Sequence, residues 1–543
     1  MNVAFDPWIP VVTLTGESFP ISLCEVFTGG EKYADLAVRP HERVALMRLF
    51  LCVAHASLKG PKDYPAWCEV PKKLPEAAKA YLKEWEDSFK LFHKEKPWLQ
   101  VAGLKSVEKD EGVFGKTSPT ALLDPELATG NSTTLFDHQG LLKTRMISPE
   151  RLTLNLLTFQ NFSSGGGAPV AQWESIKTLQ VGNPDAPCLS QSMAHCFFRG
   201  NHLAETIHLN IPAFDRLTLV YRTISIDKKR GETFSEISLG KPVWESFPKA
   251  PEPIDSEPIK NATLTYCGRL VPISRWVKLI ENSDQMVCCS GFKYNTFKDG
   301  YAAEPTAVTR IITKRDKKGI EFTERKVLGI HPNRAIWREL AALLVKRAAD
   351  GIGGPLAMEN APTVSSYDFQ VCAITRDQAS MDIAIESVFH ITPHFQCHMP
   401  VYREEVEQAE SQSRRLRSAV ETYRTTIDID WPNRVKRTQA KEQNKLKDRL
   451  AAAAFLSYWT NVENNLTLLM AHIEAIGTDL AISTRIAWQK MLFASACEAY
   501  RVACGQETPR QTRAFAIGFQ RLTVKQEKND PELDKSQTEE EEV

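Results

Sequence analysis

The sequence has no Cys-x-x-Cys pair; its twelve cysteines are scattered along 543 residues. A disulfide framework is therefore not expected, and the thiols read as reduced core residues of a cytoplasmic protein. Net charge is lacking too, since 67 basic side chains cancel 67 acidic ones. The chain is not a basic nucleic-acid coat, so any such contact must come from local patches. No apolar run approaches the ~20 residues that span a bilayer; runs such as Ala451-Ala452-Ala453-Ala454-Phe455-Leu456 stop far short. The opening Met1-Asn2-Val3-Ala4-Phe5-Asp6-Pro7 has no basic segment followed by an apolar one, so no secretory signal is expected. No nucleophile elbow, H-E-x-x-H, kinase signature or dinucleotide fingerprint occurs. Those absences move the reading from catalysis toward recognition.

What is present is ordinary globular composition, 43% hydrophobic and 25% charged, which excludes a fibrous or wholly disordered chain. The length allows two to four domains at about 150 residues each. Phe5 to Leu14 is β-prone, and its prolines suit an edge strand or a strand entry. Helical spacing of Val44, Met47, Leu51 and Ala54 predicts a helix over His41–Ser57, and a second is expected from about Glu76 to His93. Turn signals at Asn282-Ser283-Asp284, Lys298-Asp299-Gly300 and Lys317-Lys318-Gly319 mark a strand-rich stretch over about 263–330. Beyond Pro400 proline and glycine thin out. Long helical patterns follow over about 401–425, 437–474, 477–504 and 508–525, the second interrupted or partnered by a short segment near Trp431-Pro432, and they read as an antiparallel bundle. The expected fold class is α+β: a large mixed α/β domain over 1–398, then a four-helix bundle over 399–525. The last eighteen residues, 526–543, hold eight acidic and two basic side chains and are expected to be disordered.

Four local patterns could carry chemistry. Gly115-Lys116-Thr117-Ser118 resembles the end of a phosphate-binding loop, but Asp110 stands where that loop needs its first glycine. It reads as a polar loop. His390, His394, Cys397 and His398 are the densest set of potential metal ligands, and a metal-dependent nuclease or hydrolase is the rival reading they support. Pro393 disfavours one helix through them, and no acidic residue lies nearby as a general base. Two stretches are locally basic: 309–347 has eleven Lys/Arg against four acids, and 414–450 has eleven against five. Such runs are solvated faces or phosphate contacts. Finally, Ser163-Ser164-Gly165-Gly166-Gly167-Ala168-Pro169 is either a linker or a backbone that can approach a phosphate or groove edge closely.

Taken in order, the segments Phe5–Val11, His41–Leu49, Phe92–Gln100, Ala128–His138, Gly200–Thr206, Ser274–Leu279, Ala335–Arg338 and Asp377–Ser380 resemble one family. It is the CasA-type large subunit of the type I-E CRISPR Cascade complex, and the resemblance runs nearly to the acidic tail. It implies a non-enzymatic, cofactor-free subunit that recognises the PAM of double-stranded DNA, helps open the duplex for guide RNA, and recruits the helicase–nuclease. Implied partners are the Cascade backbone, small and guide-end subunits, the CRISPR RNA and the target duplex, with no membrane. Residue by residue, Gly165, Gly166 and Gly167 resemble the glycine loop beside the PAM, and Gln378 the glutamine wedge. Asp377 stands where some members carry asparagine. The PAM-reading lysine lies on a hairpin whose counterpart is Cys288–Lys298, where Lys293 and Lys298 both fit. Leu135, Phe136, Asp137 and His138 resemble the loop that docks near the guide end. Within the basic stretch, Arg434, Lys436 and Arg437 are expected to contact DNA phosphates non-specifically.

Overall fold

Pro7 and Pro10 bracket the entry into β1 (Ile9–Thr13), which pairs antiparallel with both β2 (Ser18–Ile21) and β3 (Tyr33–Leu36). The strand is therefore the middle of a three-stranded sheet and not an edge. Pro10 is tolerated there because it stands opposite Pro20, and its carbonyl accepts from the Ala37 N–H at 2.9 Å. The computed structural model describes residues 1–107, 117–127, 145–167, 169–178, 182–227, 231–236, 238–249, 256–297, 301–315, 321–362, 365–377, 380–431, 433 and 440–523. For 223–227, 231–236, 315, 377, 380–382 and 440–450 it describes the backbone alone.

Pro40, at a position where a missing N–H costs nothing, opens α1 (Pro40–Leu58). The Glu42 carboxylate reaches back to the Arg39 N–H at 2.9 Å. Every residue from His41 to His55 is buried, so the helix is covered on all sides. The second expected helix is displaced: α2 runs Val70–Glu84 and stops well short of His93. Pairing with the N-terminus is the reason. The Val3 N–H donates to the Phe89 carbonyl at 2.6 Å and the Leu91 N–H to that of Met1 at 3.0 Å, so 85–91 leaves the helix to line the core. There Trp8 and Trp98 meet edge to face, 5.9 Å between ring centres.

Further along come α3 (Pro149–Phe162), β4 (Gly166–Gly167), β5 (Gly182–Asn183), β6 (His195–Arg199), β7 (Arg275–Leu279), β8 (Gln285–Ser290), β9 (Tyr367–Asp377) and β10 (Ser380–Ile391). Strands β6, β9 and β10 form one antiparallel sheet in the order β6-β9-β10. Strands β7 and β8 pair antiparallel through a turn at 280–284, with Ser118–Pro119 along the other side of β8. A fully buried charge cluster lies in the core. Arg48 of α1 donates to Glu304 Oε2 at 2.8 Å, Arg269 pairs with Glu304 Oε1, and each residue is at most 3% exposed.

The chain divides into two compact units, Met1–Ile312 with Thr323–Ile391, and Thr313–Phe322 with Thr392–Val543. Within the second, α4 (Met399–Ile427) packs on α5 (Ala440–Asn464), α7 (Ala481–Ala503) and α8 (Pro509–Thr523), and α6 (Leu466–Ala475) packs on α7. Within the pattern expected over 437–474, α5 and α6 are separate helices, broken at Asn465, where consecutive asparagines weaken the helix. Tyrosines tie the helices together: the Tyr458 hydroxyl donates to the Ala409 carbonyl at 2.8 Å and that of Tyr423 to Gly505 at 2.9 Å. The acidic segment 526–543 lies outside the described residues.

Candidate nucleic-acid interface

A helix must end where glycines begin. Helix α3 stops at Phe162, and the Ser163 N–H closes its last turn onto the Phe159 carbonyl. The chain then runs out through Ser164 and Gly165 into β4, whose two residues pair with β5: Gly166 opposite Asn183 and Gly167 opposite Gly182. Three of the four paired residues are glycine. A Cβ on Gly165 would lie 2.8 Å from the Asn183 carbonyl oxygen, so no side chain fits there. Gly166 has φ +150°, a conformation that L side chains rarely adopt. A Cβ on Gly166, Gly167 or Gly182 would meet nothing within 4 Å. The result is a ribbon with a bare backbone face open to an incoming ligand.

The root of the ribbon is tied down by side chains where its paired glycines are bare. Arg275, at the start of β7, donates to the carbonyls of Ser164 and Pro184, both at 2.9 Å, and so ties the two legs together. Its own backbone is fixed by Gln160 of α3, which accepts from the Arg275 N–H at 2.9 Å and donates to its carbonyl at 2.7 Å. Burial pulls the Arg275 guanidinium below its ordinary pKa; Cys288 and Asp185 offset this only in part. The Ala186 N–H donates to the Ser163 carbonyl at 2.8 Å. Asp185 supplies the outer tie: Oδ1 accepts from the Gly165 N–H at 2.7 Å, and Oδ2 pairs with Arg376. Arg376 stands one residue before Asp377, at the end of the β9–β10 hairpin. One carboxylate therefore joins the glycine ribbon to the tip expected to carry the wedge.

The comparisons with known proteins agree with one another. The family model of CRISPR-associated protein Cse1 matches residues 2–499. The chain belongs to the Cse1 family. The CasA/Cse1 protein of Thermus thermophilus is 28% identical over 362 residues, spanning 64% of this chain and 60% of that relative's length. Among solved structures, Thermobifida fusca Cse1 superposes with TM-score 0.67 at 19% identity, covering 96% of this chain and 98% of that one. A chain of a CRISPR RNA-guided surveillance complex does so with TM-score 0.69 at 16% identity, covering 96% and 99%. These likenesses establish the Cse1 fold, the mixed helix-and-sheet body with a helical C-terminal region.

Of the residues assigned through the Cse1 resemblance, Gly165, Gly166 and Gly167 form the ribbon itself, and the Asp377 backbone ends β9. Lys293 is exposed, but the expected hairpin over Cys288–Lys298 takes another form. Cys288 and Cys289 are buried in β8, and 291–297 leaves the sheet with no partner strand among the described residues. Alternating sides in a buried strand accounts for two adjacent core thiols. The Phe292 N–H is held on the Ile273 carbonyl at 3.0 Å, which keeps Lys293 at the end of the sheet where Arg275 begins it. Lys298, Gln378, Leu135, Phe136, Asp137, His138, Arg434, Lys436 and Arg437 lie outside the described residues. The roots of the 128–144 segment are described. Asp124 before it takes Arg39 at 2.9 Å and Arg151 at 3.0 Å, and Glu42 takes Arg151 and Arg39, both at 2.7 Å, a closed ring of alternating charge. Asp185, Arg275 and Arg376 escaped sequence reasoning; Arg275 was visible only as one letter of a resembling segment.

The histidines of the rival reading are spread over different elements. His390 sits on β10 with Nδ1 2.8 Å from Asp368 Oδ1. Pro393 does not break a helix but opens a short one, Pro393–Cys397, capped by Thr392. In it the His394 Nε2–H donates to the Ile473 carbonyl at 2.9 Å, and just past its end the His398 Nδ1–H donates to the His394 carbonyl at 2.8 Å. Two ring nitrogens are thereby spent on backbone carbonyls. Among the described residues no group of three or more His, Cys, Asp or Glu is arranged to hold a metal ion. No described helix is long and apolar enough to cross a membrane.

Proposed function

We propose that this chain is the large subunit of an RNA-guided CRISPR surveillance complex of the type I-E Cascade kind. It reads the PAM of a double-stranded target, helps open the duplex for guide pairing, and recruits the helicase–nuclease; it performs no catalysis itself. The observation that carries the reading is the bare glycine ribbon fastened at the hairpin end beside Asp377. A backbone face without Cβ atoms suits a minor groove about 6 Å wide, which a side chain would fill. That groove distinguishes little beyond A·T from G·C, so a ribbon, a lysine and a wedge predict tolerant motif reading. Sequence identity is then left to guide–target pairing. The loop around Leu135, Phe136, Asp137 and His138 docks at the guide end of the assembly. Arg434, Lys436 and Arg437 hold DNA phosphates without reading bases, and the helical unit recruits the nuclease. Co-purification tests the whole: the chain brings down an RNA-containing complex with a repeated backbone subunit, and that complex separates favoured from disfavoured motifs.

The lysine is settled by substitution. Lys293→Ala or Lys298→Ala, whichever reads the motif, weakens binding to the favoured motif by about 1–3 kcal/mol and narrows the gap to disfavoured ones. Equal discrimination by both variants removes the lysine from the reading. The wedge is separated from the other contacts by the substrate. Unstacking a base step costs a few kcal/mol, so Gln378→Ala slows R-loop formation on fully paired DNA and is nearly silent on DNA already melted beside the PAM. Both substrates are measured at one salt concentration, since ionic strength alone shifts binding strongly. An equal defect on the two makes Gln378 an ordinary contact.

A further inference from the structure

We propose that Asp185 is a positioning residue that holds the glycine ribbon in register with the β9–β10 hairpin end; this rests on the motif-reading role above. Asp185 follows β5, so it belongs to one leg of the ribbon and not to the hairpin. Its two carboxylate oxygens divide the work. Oδ1 takes the Gly165 N–H at 2.7 Å on the opposite leg, which sets how far the ribbon stands off its root. Oδ2 takes the guanidinium of Arg376, 191 residues away in sequence, at the last described side chain before the hairpin turn. The pair is partly exposed, 23% for Arg376 and 17% for Asp185, so it lies at the rim of the root and not in the core. Beneath it Arg275 already fastens Ser164 to Pro184. The legs therefore need no second tie merely to stay together. What the Asp185 pair adds is a direct side-chain tie at the rim between a ribbon that can enter a groove and the end of the β9–β10 hairpin, beyond the pairing of β6 with β9 farther along the same leg.

A link of this kind has a consequence for recognition. If the motif is sensed by the ribbon and exploited by the hairpin, each must meet the duplex at a fixed separation. A groove too full for the ribbon then also withdraws the tip. Asp185 would be a costly residue to keep near phosphates for any other reason, because it adds negative charge where DNA approaches. That sign separates positioning from plain electrostatics. Asp185→Asn keeps an oxygen for the Gly165 N–H, gives up the charge-assisted pair with Arg376, and makes the site one charge more positive. Electrostatics alone strengthens binding to every duplex alike and leaves the ratio between motifs untouched.

The experiment uses the full chain for hydrogen exchange and the assembled complex for DNA binding. In Asp185→Asn, backbone amides over 164–167 and 182–185 exchange several-fold faster, while those of α3 and the melting temperature are unchanged. The ratio of affinities between favoured and disfavoured motifs falls about threefold to tenfold, as expected for coupled neighbours. Arg376→Gln gives the same fall. The double variant loses no more than the worse single one, because both act through one pair. Unchanged exchange over the ribbon in Asp185→Asn overturns the link. Faster exchange with an undiminished motif ratio overturns its role in reading, as does a double variant whose losses add. If the wild-type complex itself shows no motif preference, the motif-reading role has failed, and the exchange data alone then decide whether the link exists.

Discussion

Gly166→Asp strongly weakens target binding by the assembled complex and leaves assembly intact. The substitution acts twice. At φ +150° an L side chain is strained, and the ribbon shifts to relieve it. The new carboxylate also points into space that is empty in the free protein, since nothing lies within 4 Å of a Cβ there. Set against a phosphate backbone, a like charge costs several kcal/mol, so a loss of at least about 2 kcal/mol, roughly 30-fold in Kd, is expected. Gly167→Ala isolates the steric part. Its Cβ also meets nothing within 4 Å, and the residue is not in the left-handed region, so the free chain accepts the methyl group without strain. Any weakening of DNA binding by that variant is then the groove wall meeting one methyl. Equal Kd values for Gly166→Asp and wild type at matched salt remove the ribbon from the interface. A full loss in Gly166→Asp with none in Gly167→Ala assigns the effect to charge and strain, not to close approach.

Why the ribbon was legible and its fastenings were not follows from the kind of signal each leaves. Three successive glycines are a local pattern, visible in one window, and their physical meaning is local as well. Helix α1 was legible for the same reason: the helical spacing of Val44, Met47, Leu51 and Ala54 predicts His41–Ser57, against the observed Pro40–Leu58. The fastenings are long-range. Asp185 lies 20 residues from Gly165, Arg275 lies 111 from Ser164, and Arg376 lies 191 from Asp185. Each is a single charged letter among many, and such letters usually mean solvated surface. Tertiary pairing likewise moved the end of α2: Phe89 and Phe92 keep helical spacing with Trp85, yet Val3 and Met1 claim the backbone of 89–91. Cys288 and Cys289 fall in the stretch expected to be strand-rich, and pairing with β7 makes them strand. Pro393 was read as a breaker when it was an initiator; the Thr392 cap before it was the missed clue.

Glu304→Ala is the most damaging single substitution expected in the body of the protein. Glu304 is 2% exposed and is shared by Arg48, fully buried in α1, and Arg269, 3% exposed. Burial pushes its carboxyl upward, but Arg269 and then Arg48 outweigh that and hold it below the ordinary 4.5. Removing it leaves two guanidiniums in a low-dielectric core with no counter-charge, a loss of about 3–5 kcal/mol. Carbonyls soften but do not replace the missing charge: Arg48 keeps the Leu270 carbonyl at 3.1 Å, and Arg269 keeps that of Thr263 at 2.8 Å. The pH dependence has one sign. Because the folded pKa is depressed, the stabilisation is complete above the unfolded value near 4.5 and is lost as pH falls through the folded one. Denaturant unfolding of the full chain at neutral pH therefore separates wild type from Glu304→Ala widely, and the gap closes as the buffer is acidified below that range. A gap that is constant with pH assigns the loss to packing instead. The consequence reaches the interface through the backbone. Residues 271–274 run from the Arg269 cluster to Arg275, and the Ile273 N–H is pinned on the Tyr294 hydroxyl at 2.8 Å. A core that loosens around Arg269 releases the strand start from which Arg275 fastens both legs of the ribbon. At temperatures where the variant still folds, Glu304→Ala accordingly speeds amide exchange over 163–167 together with the core around 269–275. Faster exchange confined to the core would mean that Gln160 alone suffices to hold Arg275 in place.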